Sequence, residues 1–349
     1  MGRQTIRRWL VTIGVLIAAG FLFWLPLDYY IKKPGDAYNA ADYITVEQKD
    51  EGDRGEFRFT TVAMMEATPF FYLLATILPN QEIVEIDSVR QDEEDEDEYE
   101  VRQLKLMDSS QFNAISIAFQ RAGIPIDVEY KGISVLNILS GSAADGVLKT
   151  GDIIVEIDDT VISNIEQLGN RIESLQEGDT IKIVIERDKK LLSKEVSLKE
   201  IPNANGKVGL GITYTESKTI KTEPYVKMNT EDIGGPSAGL MFTLEILNQL
   251  LDEDLTNGKI IAGTGTMEAD GTVGRIGGID KKVVAADRSG AEYFLAPDDT
   301  LTEEMLQYDP TLLSNYEEAV KAAEKIGTKM KIVPIKTIDD AIEFLNSLK

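Results

Sequence analysis

Trp9 to Leu27 reads "WLVTIGVLIAAGFLFWLPL", without one charged residue. A helix rises 1.5 Å per residue, so this stretch covers roughly 28 Å, the thickness of a bilayer's hydrocarbon core. The sequence therefore predicts a single transmembrane anchor at 9–27. Arg3, Arg7 and Arg8 precede it, and Trp9, Trp24, Tyr29 and Tyr30 fall near the expected interfaces. That pattern orients residues 1–8 toward the cytoplasm and the bulk of the chain outside the cell, although Lys32 and Lys33 weaken the asymmetry. A cleaved signal peptide and a buried soluble helix are the competing readings; no small-residue cleavage site follows the run.

Beyond the anchor, 349 residues suffice for two globular domains, and 43% hydrophobic with 28% charged residues is a globular composition. The net charge of -24 disfavours a nucleic-acid partner, because phosphates would be repelled. The chain has no Cys and no His. Thiol nucleophiles, disulfides, His-ligated zinc and any Ser-His-Asp triad are thereby excluded. Proton transfer near neutral pH falls to a carboxylate, a tyrosine or a lysine of shifted pKa. Neither a metal nor a cofactor is expected.

The turn formers of "KKPGDAYNAADY" suggest a linker over 28–42. "GEFRFTTVAMM" predicts a strand, "PFFYLLATILP" a short apolar helix, and "SSQFNAISIAFQRAG" a helix with Phe112, Ile115, Phe119 and Ala122 on one face. Between them "QDEEDEDEYE", residues 91–100, repels itself and reads as a solvated loop. From Asp127 short strands and Gly turns dominate, with a helix carrying Ile165, Leu168, Ile172 and Leu175 and a hairpin turning near Asp188 to Lys190. After about Lys207 strands and helices alternate.

Gly141-Ser142-Ala143-Ala144, Leu148, Gly151-Asp152 and the strand Ile153 to Ile157 resemble a PDZ domain, placed at 127–203. The resemblance implies a groove that accepts a peptide as an added strand. Tyr130, Gly132 and Ile133 are the candidates for holding the peptide's end; the choice between terminal and internal peptides stays open.

Ser237 lies in "IGGPSAGLMFTLEIL", between Gly-Gly-Pro and Ala-Gly where a helical apolar pattern begins. Two glycines let another backbone approach, Pro236 suits a first helical turn, and the free N–H groups of that turn can face a developing negative charge. Gly235, Pro236 and Ala238 are therefore candidate supports of an oxyanion, and a plain N-cap serine is the alternative. On a helix over 279–288, Lys282 falls beside the apolar face of Ile279, Val283 and Ala286, while Lys281 projects with Arg288 to the polar side. Desolvation lowers an ammonium's pKa, so a buried Lys282 could take the serine's proton.

"GGPSAG" at 234–239, with "TGTMEADGTVGRIGGIDKKVVAA" at 264–286, resembles the Lon protease family. The resemblance implies Ser237 as nucleophile, Lys282 as general base and Thr264 as the hydroxyl that orients the lysine. No G-x-x-x-x-G-K-[ST] phosphate loop is present, so no nucleotide partner is expected. The chain thus resembles the membrane-anchored, ATP-independent Lon-like proteases with a PDZ domain. The expected fold is α+β: a Lon-type proteolytic domain begun at 43–126 and completed at 204–349, with the small β-rich PDZ domain inserted and one transmembrane helix in front. The implied function is cleavage of small secreted or membrane-anchored peptides and proteins captured by the PDZ groove. A catalytically inert, membrane-tethered PDZ adaptor is the alternative, and homo-oligomerisation is left open.

Overall fold

The computed structural model describes residues 3–47, 55–91, 94–202, 204–230 and 233–349. Helix α1 (Arg3–Trp24) includes residues 9–24 of the segment expected as an anchor. Among the described residues no helix is long and apolar enough to cross a membrane; the side chains of Val15, Ile17, Ala18 and Ala19 in α1 lie outside the described residues.

The segment expected as a linker is instead strand β1 (Tyr29–Asn39), followed by a 3-10 turn at Ala40–Asp42 and by β2 (Ile44–Val46). β1 pairs antiparallel with β3 (Glu56–Glu66), which leads into α2 (Pro69–Ala75), and on its other edge with β4 (Glu82–Glu85). Pro34-Gly35-Asp36 is absorbed by a register shift between Pro34 and Ala37. Gly35 is required there, since a Cβ would lie 2.4 Å from the Thr61 hydroxyl.

The second half of the acidic run is helical, and Gln91, Glu94 and Asp95 precede that helix. Asp92 and Glu93 lie outside the described residues, and Asp95 caps α3 (Glu96–Ala122) in a reciprocal capping box with Glu98. Glu96, Asp97 and Glu98 occupy the first turn, where the helix dipole favours negative charge and offsets their mutual repulsion.

The next segment comprises β5 (Asp127–Ile138), β6 (Ile153–Ile157), β7 (Thr160–Val161), α4 (Ile165–Ile172), β8 (Thr180–Arg187), β9 (Lys190–Ser197), β10 (Lys199–Glu200), β11 (Val208–Gly209) and β12 (Ile212–Lys221). Its main sheet runs β12-β5-β6-β8-β9. Ile133, Ile154, Ile157, Ile183 and Ile185 fill its own core.

The chain then forms β13 (Val226–Met228), a 3-10 turn at Pro236–Ala238, α5 (Gly239–Leu250), β14 (Ile260–Gly263), β15 (Thr266–Met267), β16 (Val273–Gly274) and α6 (Ile279–Arg288). It ends with β17 (Tyr293–Pro297), α7 (Glu303–Tyr308), α8 (Asn315–Ile326), β18 (Lys331–Ile335) and α9 (Ile338–Asn346). A six-stranded sheet, β18-β17-β14-β3-β1-β4, joins strands from both sides of the β5–β12 segment, with β14 parallel to β3. Alternation along the strands builds two layers. Phe57, Phe59, Ile261 and Leu295 pack with α3, α5 and α9, whereas Ala262, Phe294 and Ala296 pack with α6 and α8.

Candidate active site

Ser237 comes from one layer and Lys282 from the other, and they meet past the carboxyl end of β14. α5 is predominantly apolar and buried from Gly239 to Asn248, which fixes the turn in front of it. That turn is held from outside as well. Gly235 N–H donates to the Gln103 carbonyl at 3.0 Å, and the Ser110 hydroxyl donates to the Pro236 carbonyl at 3.0 Å, both partners lying on α3. Gly235 has φ 85°, the left-handed region that excludes most side chains. Gly235 N–H is therefore committed and Pro236 has none, which leaves the Ser237 N–H as the first amide of the turn without an intrahelical acceptor. Ala238 is buried beneath it.

Lys282 is 3% exposed and Thr264 1%. The Lys282 Nζ lies 2.7 Å from Ser237 Oγ and 2.8 Å from Thr264 Oγ1. The Thr264 hydroxyl donates its one hydrogen to the Ser237 carbonyl at 2.9 Å, so toward Lys282 it can only accept. Gly265 N–H donates to the same carbonyl at 2.8 Å, which clamps the serine's backbone against the strand end. Burial lowers the Lys282 pKa from its ordinary value to about 7. A neutral amine that gives one hydrogen to Thr264 keeps its lone pair for the Ser237 hydroxyl. Chemically, the arrangement can deprotonate that hydroxyl near neutral pH.

Lys281, expected on the polar side of α6, is also 3% exposed. Its Nζ lies 2.6 Å from Glu82 at the end of β4 and 3.0 Å from Asp280. Burial pulls its pKa down, but the bonds and charges of Glu82 and Asp280 outweigh that, and the net shift is upward. The expected polar side of α6 is thus covered: β1 packs along the helix and Glu82 of β4 reaches Lys281.

Ser237 and Lys282 line a cleft of about 740 Å³ walled by β1, β3, α3 and the turn before Ser237. Tyr38, Phe59, Met64, Met107 and Lys32 contribute to its surface.

Tyr130, Gly132 and Ile133 do not join a free edge. They lie on β5, paired with Lys218, Ser217 and Glu216 of β12, and Ile133 pairs on its other side with Ile154. Their main-chain groups are already engaged in the sheet. The edge strands of this sheet are β9 and β12, and β12 is entered through Gly209-Leu210-Gly211-Ile212. Gly211 has φ 71°, and a Cβ there would fall 2.2 Å from Ser142 Cβ. The Leu210 and Gly211 carbonyls accept from Ala144 N–H and Leu139 N–H, each at 2.9 Å. α4 lies alongside, its Ile165 N–H donating to Glu216 at 3.2 Å. Sequence reading missed this entry loop; the glycine pair directly before an alternating strand was its signal.

Two family models match the chain: a PDZ domain over residues 121–198 and the Lon protease (S16) C-terminal proteolytic domain over residues 230–346. A mitochondrial Lon protease homolog of Aspergillus fumigatus is 41% identical over 69 residues, 20% of this chain and 6% of that protein. The Lon protease of Protochlamydia amoebophila is 29% identical over 118 residues, 33% of this chain and 14% of that protein. The chain thus spans a small fraction of these relatives' length. The PDZ domain of an SdrC-like protein from Listeria monocytogenes is similar at 31% identity and a TM-score of 0.24, covering 26% of this chain and 93% of that one. The chain thus carries a PDZ domain and a proteolytic domain of the Lon protease (S16) type.

Proposed function

We propose that the chain is a membrane-anchored, ATP-independent endopeptidase that uses Ser237 as nucleophile and Lys282 as general base. One observation carries the reading: a buried amine, its pKa lowered to about 7, stands 2.7 Å from a hydroxyl at the mouth of a helix. Neutral Lys282 takes the Ser237 proton as Oγ attacks the scissile carbonyl. The Ser237 N–H supports the oxyanion, the resulting ammonium returns the proton to the leaving amine, and water then hydrolyses the acyl-enzyme. Thr264 keeps the amine aimed. No phosphate-binding loop occurs in the sequence, so unfolded or loosely folded peptides are the expected substrates.

The PDZ domain supports peptide binding, and we assign the accepting edge to β12. A peptide added there would lie between β12 and α4, its end near Gly209 to Gly211. Capture raises the local concentration of substrate at the dyad. The charge-free run at 9–27 supports an anchor with residues 1–8 cytoplasmic and the peptidase outside.

Comparing the parent with Ser237→Ala and Lys282→Ala on an unfolded peptide tests the reading. Loss of cleavage by at least a thousandfold in both is expected. Equal cleavage rates in parent and variants would overturn the assignment of Ser237 and Lys282, and no cleavage by the parent would leave the PDZ adaptor as the better account.

A further inference from the structure

Fourteen of the 23 exposed large hydrophobic side chains among the described residues lie at one end of the molecule, on α1, Leu25, α2 and the two residues Ile77 and Leu78. α2 is amphipathic the unusual way round. Phe71 and Tyr72 join a small core with Leu27, Tyr29 and Ile31, while Phe70, Leu73 and Ile77, at spacings of three and four, face outward. Leu73 is 61% and Ile77 79% exposed. The Phe70 ring meets the Phe23 ring of α1 at 4.5 Å, so the two apolar surfaces are continuous. A soluble surface rarely leaves that much contiguous apolar area bare. Nor is the connection slack. Only Leu25 to Asp28 separate α1 from β1, and β1 is hydrogen-bonded on both edges within the peptidase sheet.

Resting on the anchored reading above, we propose that α2 and Ile77-Leu78 lie in the interfacial layer of the same bilayer that holds α1, as a second contact. The occupant is the zwitterionic lipid surface: Asp28 and Glu85 nearby repel anionic headgroups, while Glu66 and Glu82, paired with Arg90 and Lys281, add no net positive charge to attract them. Two contacts and a strand in place of a linker fix the height of the cleft. Its wall at Lys32 to Asp36 is at most about 40 Å of chain beyond the end of α1. The substrate class follows: bonds within about a dozen extended residues of the membrane.

The chain contains no Cys, so Ile77→Cys introduces a single thiol for an environment-sensitive fluorophore. The full-length chain is reconstituted in phosphatidylcholine vesicles with nitroxide carried near the headgroup. Tyr308→Cys, at a site 95% exposed on α7, serves as control. At least twofold quenching at position 77 with none at 308 is expected; equal signals at both overturn the contact. If the chain stays with the vesicles under alkaline carbonate while position 77 is unquenched, this inference fails and the anchor stands. If the chain is stripped from them, both fail. For substrate range, one cleavable segment is placed 6 or 30 residues from a transmembrane peptide. The parent should cut the near site at least tenfold faster, and the double variant Leu73→Asp, Ile77→Asp should lose that preference while its rate on a soluble peptide stays within twofold. Equal near and far rates in the parent overturn the proposed range.

Discussion

Lys281 and Lys282 are consecutive, equally buried and opposite in proton affinity. The Lys281 ammonium meets the carboxylates of Glu82 and Asp280, whereas among the described residues the Lys282 amine meets the hydroxyls of Ser237 and Thr264. A hydroxyl returns too little to an ion removed from water, so the proton is held at one position and released at the next. Burial opposes the charge at both positions, and the carboxylates beside Lys281 offset it there, which leaves Lys282 as the lysine able to act as a base.

Glu82→Gln should therefore destabilise the fold by roughly 1–3 kcal/mol, because it leaves a buried ammonium with Asp280 alone. Lys281→Met should cost less, since Glu82 is half-exposed and can rehydrate. Urea unfolding of both variants checks the order. A larger loss in Lys281→Met would contradict it.

Thr264→Val removes both the acceptor for Lys282 and the donor to the Ser237 carbonyl. We expect kcat to fall roughly 10–100-fold, about 1.4–2.7 kcal/mol, with KM little changed. Thr264→Ser should recover most of the rate. Steady-state kinetics on an unfolded peptide separates the two parameters.

Burial of Lys282 costs stability in a defined pH window. Its pKa falls from 10.5 unfolded to about 7 folded, so between those values the unfolded chain binds the extra proton. Stability contributed through this group rises with pH from about 7 to 10.5, by at most ~1.4 kcal/mol per pH unit. Lys282→Met should be more stable than the parent at pH 7 and should lack that part of the slope. Parallel melts across the window provide the check.

Gly211→Ala should disrupt the entry to β12, because the new Cβ meets Ser142 and the backbone is left-handed. Calorimetry should show loss of peptide binding to the PDZ domain, while turnover of a short peptide that bypasses the groove stays within about threefold. Unchanged peptide binding would move the groove elsewhere.

Elements whose stability is local were legible in the sequence. The apolar repeats of α5 and α6 and the hairpin at Asp188-Lys189 were readable from spacing and turn residues alone. β1 was not, because Pro34-Gly35-Asp36 carries every sign of a turn and becomes strand only through β3, whose Thr61 accommodates Gly35 at close quarters. The acidic run hid a helix start, since counting like charges ignores the capping box of Asp95 and Glu98. At the site, Ser237, Thr264 and Lys282 could be named individually, but Lys281 was turned outward because helical spacing knows nothing of β1 and β4. Tyr130 to Ile133 looked like an entry loop until β12, more than 80 residues away, paired with it. Outside the acidic run, whose capping box is local, the missing information was long-range: strand pairing at β1 and β5, and the reach of Glu82 to Lys281.

The central claim is that Lys282 activates Ser237 as an uncharged amine, and the pH dependence of fluorophosphonate labelling tests it most directly. Intact-mass spectrometry should find one adduct on Ser237, forming at a rate that drops about tenfold per unit below pH 7. It should be absent from Lys282→Met. A labelling rate that is flat from pH 5.5 to 9, or unchanged in Lys282→Met, would contradict the account.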